Sequence, residues 1–345
     1  MIDRRVWLQA TVLAPLGALI ACGPSEKERV LASRLVANMT THAVGRHLID
    51  LPADFEMGDG RVELTYGLTA EFTTVEVSIE SFVATAESFE AFVRKRASGI
   101  ASRMHLKLAN TSMLIETVRV SPTAAILRRY RDSLTTKSFR SELVALVGGV
   151  LLTCWQDSYS EAPAPAIQRL TLLSRQLASI ESEAAGGKGF RFGKLVIAGD
   201  HDQENGDVFF RSKSAPGVMI EFHADAISPD PSPSLLGRWH EPGWNAALLG
   251  PKPSVVREGP ITLAGMRGEE LLTKASYLDG RVDMKIWAES KRPTPGFATP
   301  LLKIEIDTVP RGPKEEAPPA VWSELDTITI WDVVVKSVRL RPGAV

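Results

Sequence analysis

A chain of 345 residues with 44% apolar composition can bury a substantial core and is long enough for two domains of ordinary size. Forty basic residues stand against 41 acidic ones, a balance that argues against phosphate-backbone recognition of nucleic acid and against a broad polybasic membrane patch. The two cysteines, Cys22 and Cys154, leave no room for a disulfide framework or a cysteine zinc site.

The chain opens with Arg4 and Arg5, followed by an apolar run from Val6 to Ile20 broken only by Gln9 and Thr11 among its polar positions. That run is too short to span a bilayer, which takes about 20 residues, and it matches the apolar core of an export signal. "LIAC" (Leu19 to Cys22) resembles the bacterial lipobox, in which a small residue precedes a cysteine that is cleaved and acylated. Residues 1–21 are therefore expected to be a lipoprotein signal peptide, with Cys22 the site of lipid attachment in the periplasm. Gly23 in place of aspartate after Cys22 points to the outer membrane. The general and twin-arginine export routes both fit "RRVWL". Residues 22–35 are polar and charged and read as a tether or a lead-in to a helix.

From about Val36 the patterning is α+β. "GRHLIDLP", "RVELTYGL" and "AEFTTVEVSI" read as strands. "TAESFEAFVRKRASGIAS" changes to a helical period, with Ala86, Phe89, Phe92 or Val93, Ala97 and Ile100 on one face and Thr85 as N-cap. "MLIETVRV", "AAILRRYRD" and the pair within "ELVALVGGVLLTCW" follow as strands, the last two broken at Gly148 and Gly149. Cys154 in that run is expected to be an inert buried thiol. "EAPAPAIQRL" starts a second helix, whose stripe of Ile167, Leu170, Leu173, Leu177 and Ile180 carries it towards "ESEAAGGKG". This glycine-rich stretch marks the domain boundary: an N-terminal α+β domain over 36–184 and a C-terminal one over 185–345.

In the second half "FGKLVIAG" and "DVFFRSK" read as a hairpin around "DHDQENG". "GVMIEFHADA", "GPITLAGM", "EELLTKAS", "GRVDMKIWAE" and "LLKIEIDT" are further strands. Val321, Leu325, Ile328, Trp331 or Asp332, Val335 and Val338 predict a C-terminal helix on the sheet, against the strand preference of its β-branched residues. The fold class is thus α+β, with two similar-sized domains, each a mainly antiparallel sheet packed with one or two helices.

Catalytic patterns are sought and not met. No G-x-S-x-G elbow is present, and "GKGFRFGK" fails as a phosphate loop because Leu195 follows Lys194 where Ser or Thr is required. Asp200, Asp202 and Glu204 could coordinate calcium, but the glycine falls one place late for an EF-hand; a solvated hairpin tip with Asn-Gly turn chemistry is the better reading. The six histidines lack metal-ligand spacing, and His223 reads as a packed or edge residue of a strand. No metal or cofactor is expected. In "LLGRWHEPGW", Trp239 and Trp244 lie in a Pro/Gly-bounded loop, where they either anchor a partner or cover the domain's own core.

Several segments, taken in order, resemble the immunity proteins that protect bacteria from type VI secretion lipase effectors. They are "HAVGRHLIDLP" (His42 to Pro52), "GFRFGKLVIAG", "LAGMRGEELL" (Leu263 to Leu272) and "WDVVVKSVRLRPGAV". The family usually has a cysteine or similar residue where Ala43 stands and an aromatic where His47 stands. The resemblance implies a non-enzymatic inhibitor, monomeric when free, whose two domains clamp a phospholipase effector in the periplasm and keep its lid from opening. Candidate contacts are Trp239, Trp244 and Arg267, onto which no family residue maps. The competing readings are a structural or assembly lipoprotein of the envelope and an envelope hydrolase with an unrecognised site.

Overall fold

A computed structural model describes residues 25–68, 73–159, 162–199, 201–241, 253–276, 282–292, 294–308 and 322–345. Cys22, Trp244 and Asp200 lie outside the described residues. The elements are α1 (Glu26–Leu35), β1 (Met39–Val44), β2 (His47–Pro52), β3 (Phe55–Tyr66), β4 (Thr73–Ser81), α2 (Ala86–Ala101), β5 (Leu114–Ser121), β6 (Ala124–Tyr130), β7 (Phe139–Val147) and β8 (Val150–Ser158). They continue with α3 (Ala164–Gln176), β9 (Leu177–Ser179), β10 (Phe190–Phe192), β11 (Leu195–Ile197), β12 (Gln203–Ser212), β13 (Met219–Asp225) and α4 (Leu235–His240). The last are β14 (Ser254–Leu263), β15 (Met266–Ser276), β16 (Val282–Ser290), β17 (Leu301–Asp307), α5 (Glu324–Ser337) and β18 (Arg339–Leu340). No described helix is long and apolar enough to cross a membrane.

The α+β class read from the patterning is what the strands and helices build, and the described strands pair antiparallel in two sheets. The long sheet has twelve strands in the order β14-β15-β16-β17-β13-β12-β3-β4-β8-β7-β6-β5. Six come from each half of the sequence, and the β12–β3 ladder joins the halves through pairs from Gln203↔Thr65 to Ser212↔Phe55. The short sheet, β18-β2-β1-β10-β11-β9, also mixes the halves. The principal core lies on one face of the long sheet, where Val62, Leu64, Val77, Leu143, Phe222 and Ile286 meet Phe190, Phe192, Leu170 and Trp331.

Local chemistry explains most boundaries. Thr85 caps α2 in a reciprocal box with Ser88, and Ser323 does the same for α5 with Asp326. The β7–β8 turn uses Gly148 and Gly149 at φ +56° and +84°, a left-handed pair that suits the twist of a tight hairpin. Buried Ile330, Trp331, Val334 and Val335 hold α5 helical despite the β-branching of the Ile and the two Val. Cys154 is fully buried, and burial pushes its thiol far up.

Four expectations are corrected. Most of the 22–35 tether is α1, which packs on α5; Ala32 and Leu35, three apart on one face, turn inward, and no Gly or Pro interrupts the segment. The second helix stops at Gln176, because Leu177 to Ser179 leave it to pair with β11; Leu177 is buried as a strand residue. The "DHDQENG" hairpin does not exist: β11 pairs with β9 and β10 in the short sheet, while β12 enters the long one. Asn205 and Gly206 stand inside β12, where a Cβ on Gly206 would sit 2.6 Å from the Phe190 ring.

The glycine-rich stretch is packed rather than slack. Its backbone carbonyls surround two buried guanidiniums. Arg191 donates to the carbonyls of Ala185 and Gly186 at 2.7 and 2.8 Å, and Arg341 donates to those of Gly187 and Gly189. Burial, together with Arg191 and Arg46 nearby, lowers the Arg341 guanidinium to about 10.

Candidate interaction cleft

Among the described residues, the second face of the long sheet is covered only at intervals. At one end α2 sets Phe89, Val93 and Ile100 on Ala125, Leu127 and Val144. Towards the other end α4 sets Leu235 and Trp239 on Leu271, beside Trp287. Strand register shows that both helices lie on this same face. The residues Thr153, Ser78, Arg61, Asp207, His223, Lys303, Glu289 and Glu269 are successive cross-strand partners, so their side chains share one side. Between the two helices that row forms the floor of a cleft.

The floor is polar and ordered by charge. His223 Nδ1 lies 2.5 Å from Asp207 Oδ1, and Arg61 reaches the other carboxylate oxygen of Asp207 at 3.6 Å. Burial would raise the Asp207 carboxyl; the His223 hydrogen bond and Arg61 outweigh it and hold it below the usual range. Glu289 is bridged by Arg238 of α4 at 2.8 Å. Glu269 accepts from Ser234 and from the Leu236 amide, fixing the start of that short helix. Two hollows adjoin across Asp207 and His223. One, of about 400 Å³, reaches Trp287, Glu305 and Arg238; the other, of about 340 Å³, reaches Arg61, Glu63 and Glu76. Acids outnumber bases along them.

A second polar cluster is closed to solvent. Arg46, from the β1–β2 turn, donates to both carboxylate oxygens of Glu204 near 3.0 Å and to the Ala344 carbonyl at 2.6 Å. His201 Nε2 lies 3.0 Å from the same carboxylate. The hydrogen bonds from His201 and Arg46 outweigh the upward push of burial, so Glu204 titrates below the usual carboxylate range. This cluster fastens the chain's C-terminus to both halves and offers no open face. Among the described residues, no group of three or more His, Cys, Asp or Glu side chains could hold a metal ion.

The residues proposed from sequence as partner contacts are scattered. Trp239 is only 4% exposed and serves the α4–Leu271 contact, so it covers the protein's own core instead of standing out from a loop. Arg267 is exposed beside the β14–β15 turn, two residues from Glu269 and on the same side of the sheet. Two tryptophans that sequence reading passed over line the sheet face itself. Trp155 is partnered with Glu76 and covered by Arg140, and Trp287 is partnered with Glu305. Their alternation with buried Cys154 and Ile286 was a visible signal of an outward-facing position.

The second half matches a model of the family anticipated from its motifs. Residues 183–343 match the Tle cognate immunity protein 4 C-terminal domain. The fold agrees. The apo immunity protein TplEi of the T6SS of Pseudomonas aeruginosa superposes with a TM-score of 0.63 at 21% identity, covering 89% of this chain and 98% of that one. A chain of the Tle4-Tli4 complex gives 0.64 at 21% identity, over 89% and 99%. TplEi bound to the "L" peptide gives 0.60 at 20%, over 89% and 99%. At such identity the likeness establishes a common fold over most of both chains. No curated protein matches the sequence.

Proposed function

We propose that this protein is an immunity protein that binds a cognate type VI secretion lipase effector in the periplasm and holds it inactive without chemistry of its own. The observation that carries the reading is the match of residues 183–343 to the Tle cognate immunity protein 4 C-terminal domain. The clamp-like cleft supports it. One wall, α2, belongs to the first half (36–184); the other, α4, belongs to the second (185–345); the charged floor between them suits a protein surface better than a small apolar ligand. In this reading the halves act as jaws on the effector and keep its lid closed, which requires tighter binding to the closed than to the open enzyme. The free protein is a monomer, acylated at Cys22 and moored to the outer membrane, where it meets the incoming lipase.

Co-expression tests the reading. A lipase encoded beside this gene, directed to the periplasm, is expected to stop growth, and this protein is expected to restore it and to co-elute with the lipase on size exclusion. Glu63→Lys with Glu76→Lys inverts the charge of one hollow and should weaken the complex by at least about tenfold. Absence of both rescue and complex would overturn the proposal.

A further inference from the structure

The overall charge balance conceals a local segregation. Residues 91–115 carry Arg94, Lys95, Arg96, Arg103 and Lys107 and not one Asp or Glu. The loop after α2 (102–113) and the β6–β7 loop (131–138) join at the far edge of the long sheet. The Leu106 amide donates to the Ser133 carbonyl at 2.9 Å. His105 is buried, stacked edge-on against Tyr130 at 4.6 Å. Its Nδ1 accepts from the amides of Lys107 and Leu108, which leaves Nε2 to donate towards the Thr135 carbonyl at 3.4 Å. The two loops are therefore one braced knob.

What the knob presents to water is apolar. Leu106 is 73% exposed, Leu134 56% and Met104 49%. Tyr159, 73% exposed, is held alongside by Arg131, which donates to its hydroxyl at 2.9 Å. Four large side chains held out by a rigid support are not the scattered single exposures that any surface shows. Around them Arg103, Lys107, Arg131 and Lys137 are all exposed. Of the acids nearby, Asp157 pairs with Arg140 and Arg131; Asp132 accepts from the Leu134 amide and stays exposed and charged, so that the cations of the tip outnumber it.

We propose that this knob is a docking tip for an anionic phospholipid bilayer. Leu106, Leu134 and Met104 would enter the acyl boundary. Tyr159 would lie at headgroup depth, where an aromatic with one polar end is favoured. Arginine and lysine would lay their apolar stems along the boundary and their charges on lipid phosphates. A protein partner is the less suitable occupant: the tip is a few side chains wide, whereas a stable interface needs about 800 Å² per partner and a matched shape. A bilayer asks for neither. The proposal does not rest on lipase binding in the cleft or on acylation at Cys22.

Flotation with vesicles tests it, using the chain from Gly23 onward, which keeps every described residue and carries no acyl group. Binding is expected to phosphatidylcholine vesicles containing phosphatidylglycerol, to fall at high salt, and to be absent from phosphatidylcholine alone. Leu106→Asp with Leu134→Asp, both on exposed positions, should lower the bound fraction more than about tenfold while the melting temperature stays unchanged. Arg103→Glu with Lys107→Glu should lower it at least about twentyfold, since each cation near an anionic surface contributes about fivefold. The proposal falls if the parent chain ignores anionic vesicles or if the Leu106/Leu134 variant binds them equally well. It falls too if that variant loses lipase capture while vesicle binding is untouched, which would make the tip a protein contact.

Discussion

Among single residues, His47 makes the sharpest prediction. It is fully buried against Phe222, with both ring nitrogens lacking a hydrogen-bond partner, and burial lowers it to about 4 in spite of the pull of Glu204. The unfolded chain takes up this proton near pH 6.5. Between pH 6.5 and 4 the unfolded state therefore binds more protons than the folded one, and stability must fall as the pH falls. The loss from this residue alone should reach about 3 kcal/mol at the lower limit. His47→Phe keeps an aromatic ring, removes the desolvated nitrogens and should flatten that part of the profile while leaving neutral-pH stability equal or higher. Urea denaturation of both proteins at pH 7 and 4.5 decides it; equal slopes would refute the assignment.

At the scale of elements, the contact between the two sheets rests on glycines that have nothing to do with turns. Gly206 in β12 and Gly60 in β3 face the rings of Phe190 and Phe192, and a Cβ would approach to 2.6 and 2.7 Å. Gly206→Ala should cost about 1–3 kcal/mol by overpacking. Phe190→Leu in the Gly206→Ala background should recover part of that loss, and a double-mutant cycle measured by denaturant would expose the coupling. Additive effects would show that the close approach carries no energy. The same pair shows where sequence reading ends. Its successes were local: the Thr85 cap, the Gly148–Gly149 hairpin and the presence of a helix at α5 are each set by residues a few positions apart, although the buried face of α5 is Thr327, Ile330, Trp331, Val334 and Val335 and shares only Trp331 and Val335 with the anticipated stripe. "ENG" looked like a turn because Asn-Gly chemistry is local too, but a ring that packs on the backbone from sixteen positions upstream demanded the glycine. Glu204 was read as a solvated tip residue for the same reason; its partner, Arg46, lies 158 positions away. The cleft was half legible. His223 was read as a packed or edge residue of its strand, but only the β12–β3 and β12–β13 ladders bring it into one row with Asp207 and Arg61.

For the whole molecule, the two sequence halves share their sheets, and the C-terminal tail closes back on the first of them. β18 pairs with β2, and Ala344 accepts from Arg46. Residues 23–184 and 185–345 produced separately should each lack a cooperative melting transition, whereas co-production should recover a complex with a single one. Independent transitions in the separate halves would contradict this. The unbroken ladder under both α2 and α4 has a bearing on recognition as well. A hydrogen-bonded sheet running from one wall of the cleft to the other leaves no hinge between them, so the gap they span is set before anything enters it. No closing motion then has to be ordered on capture, and the encounter is limited by diffusion and orientation alone. Whatever fits must already have the right width, and a poor fit will show itself in how quickly it leaves.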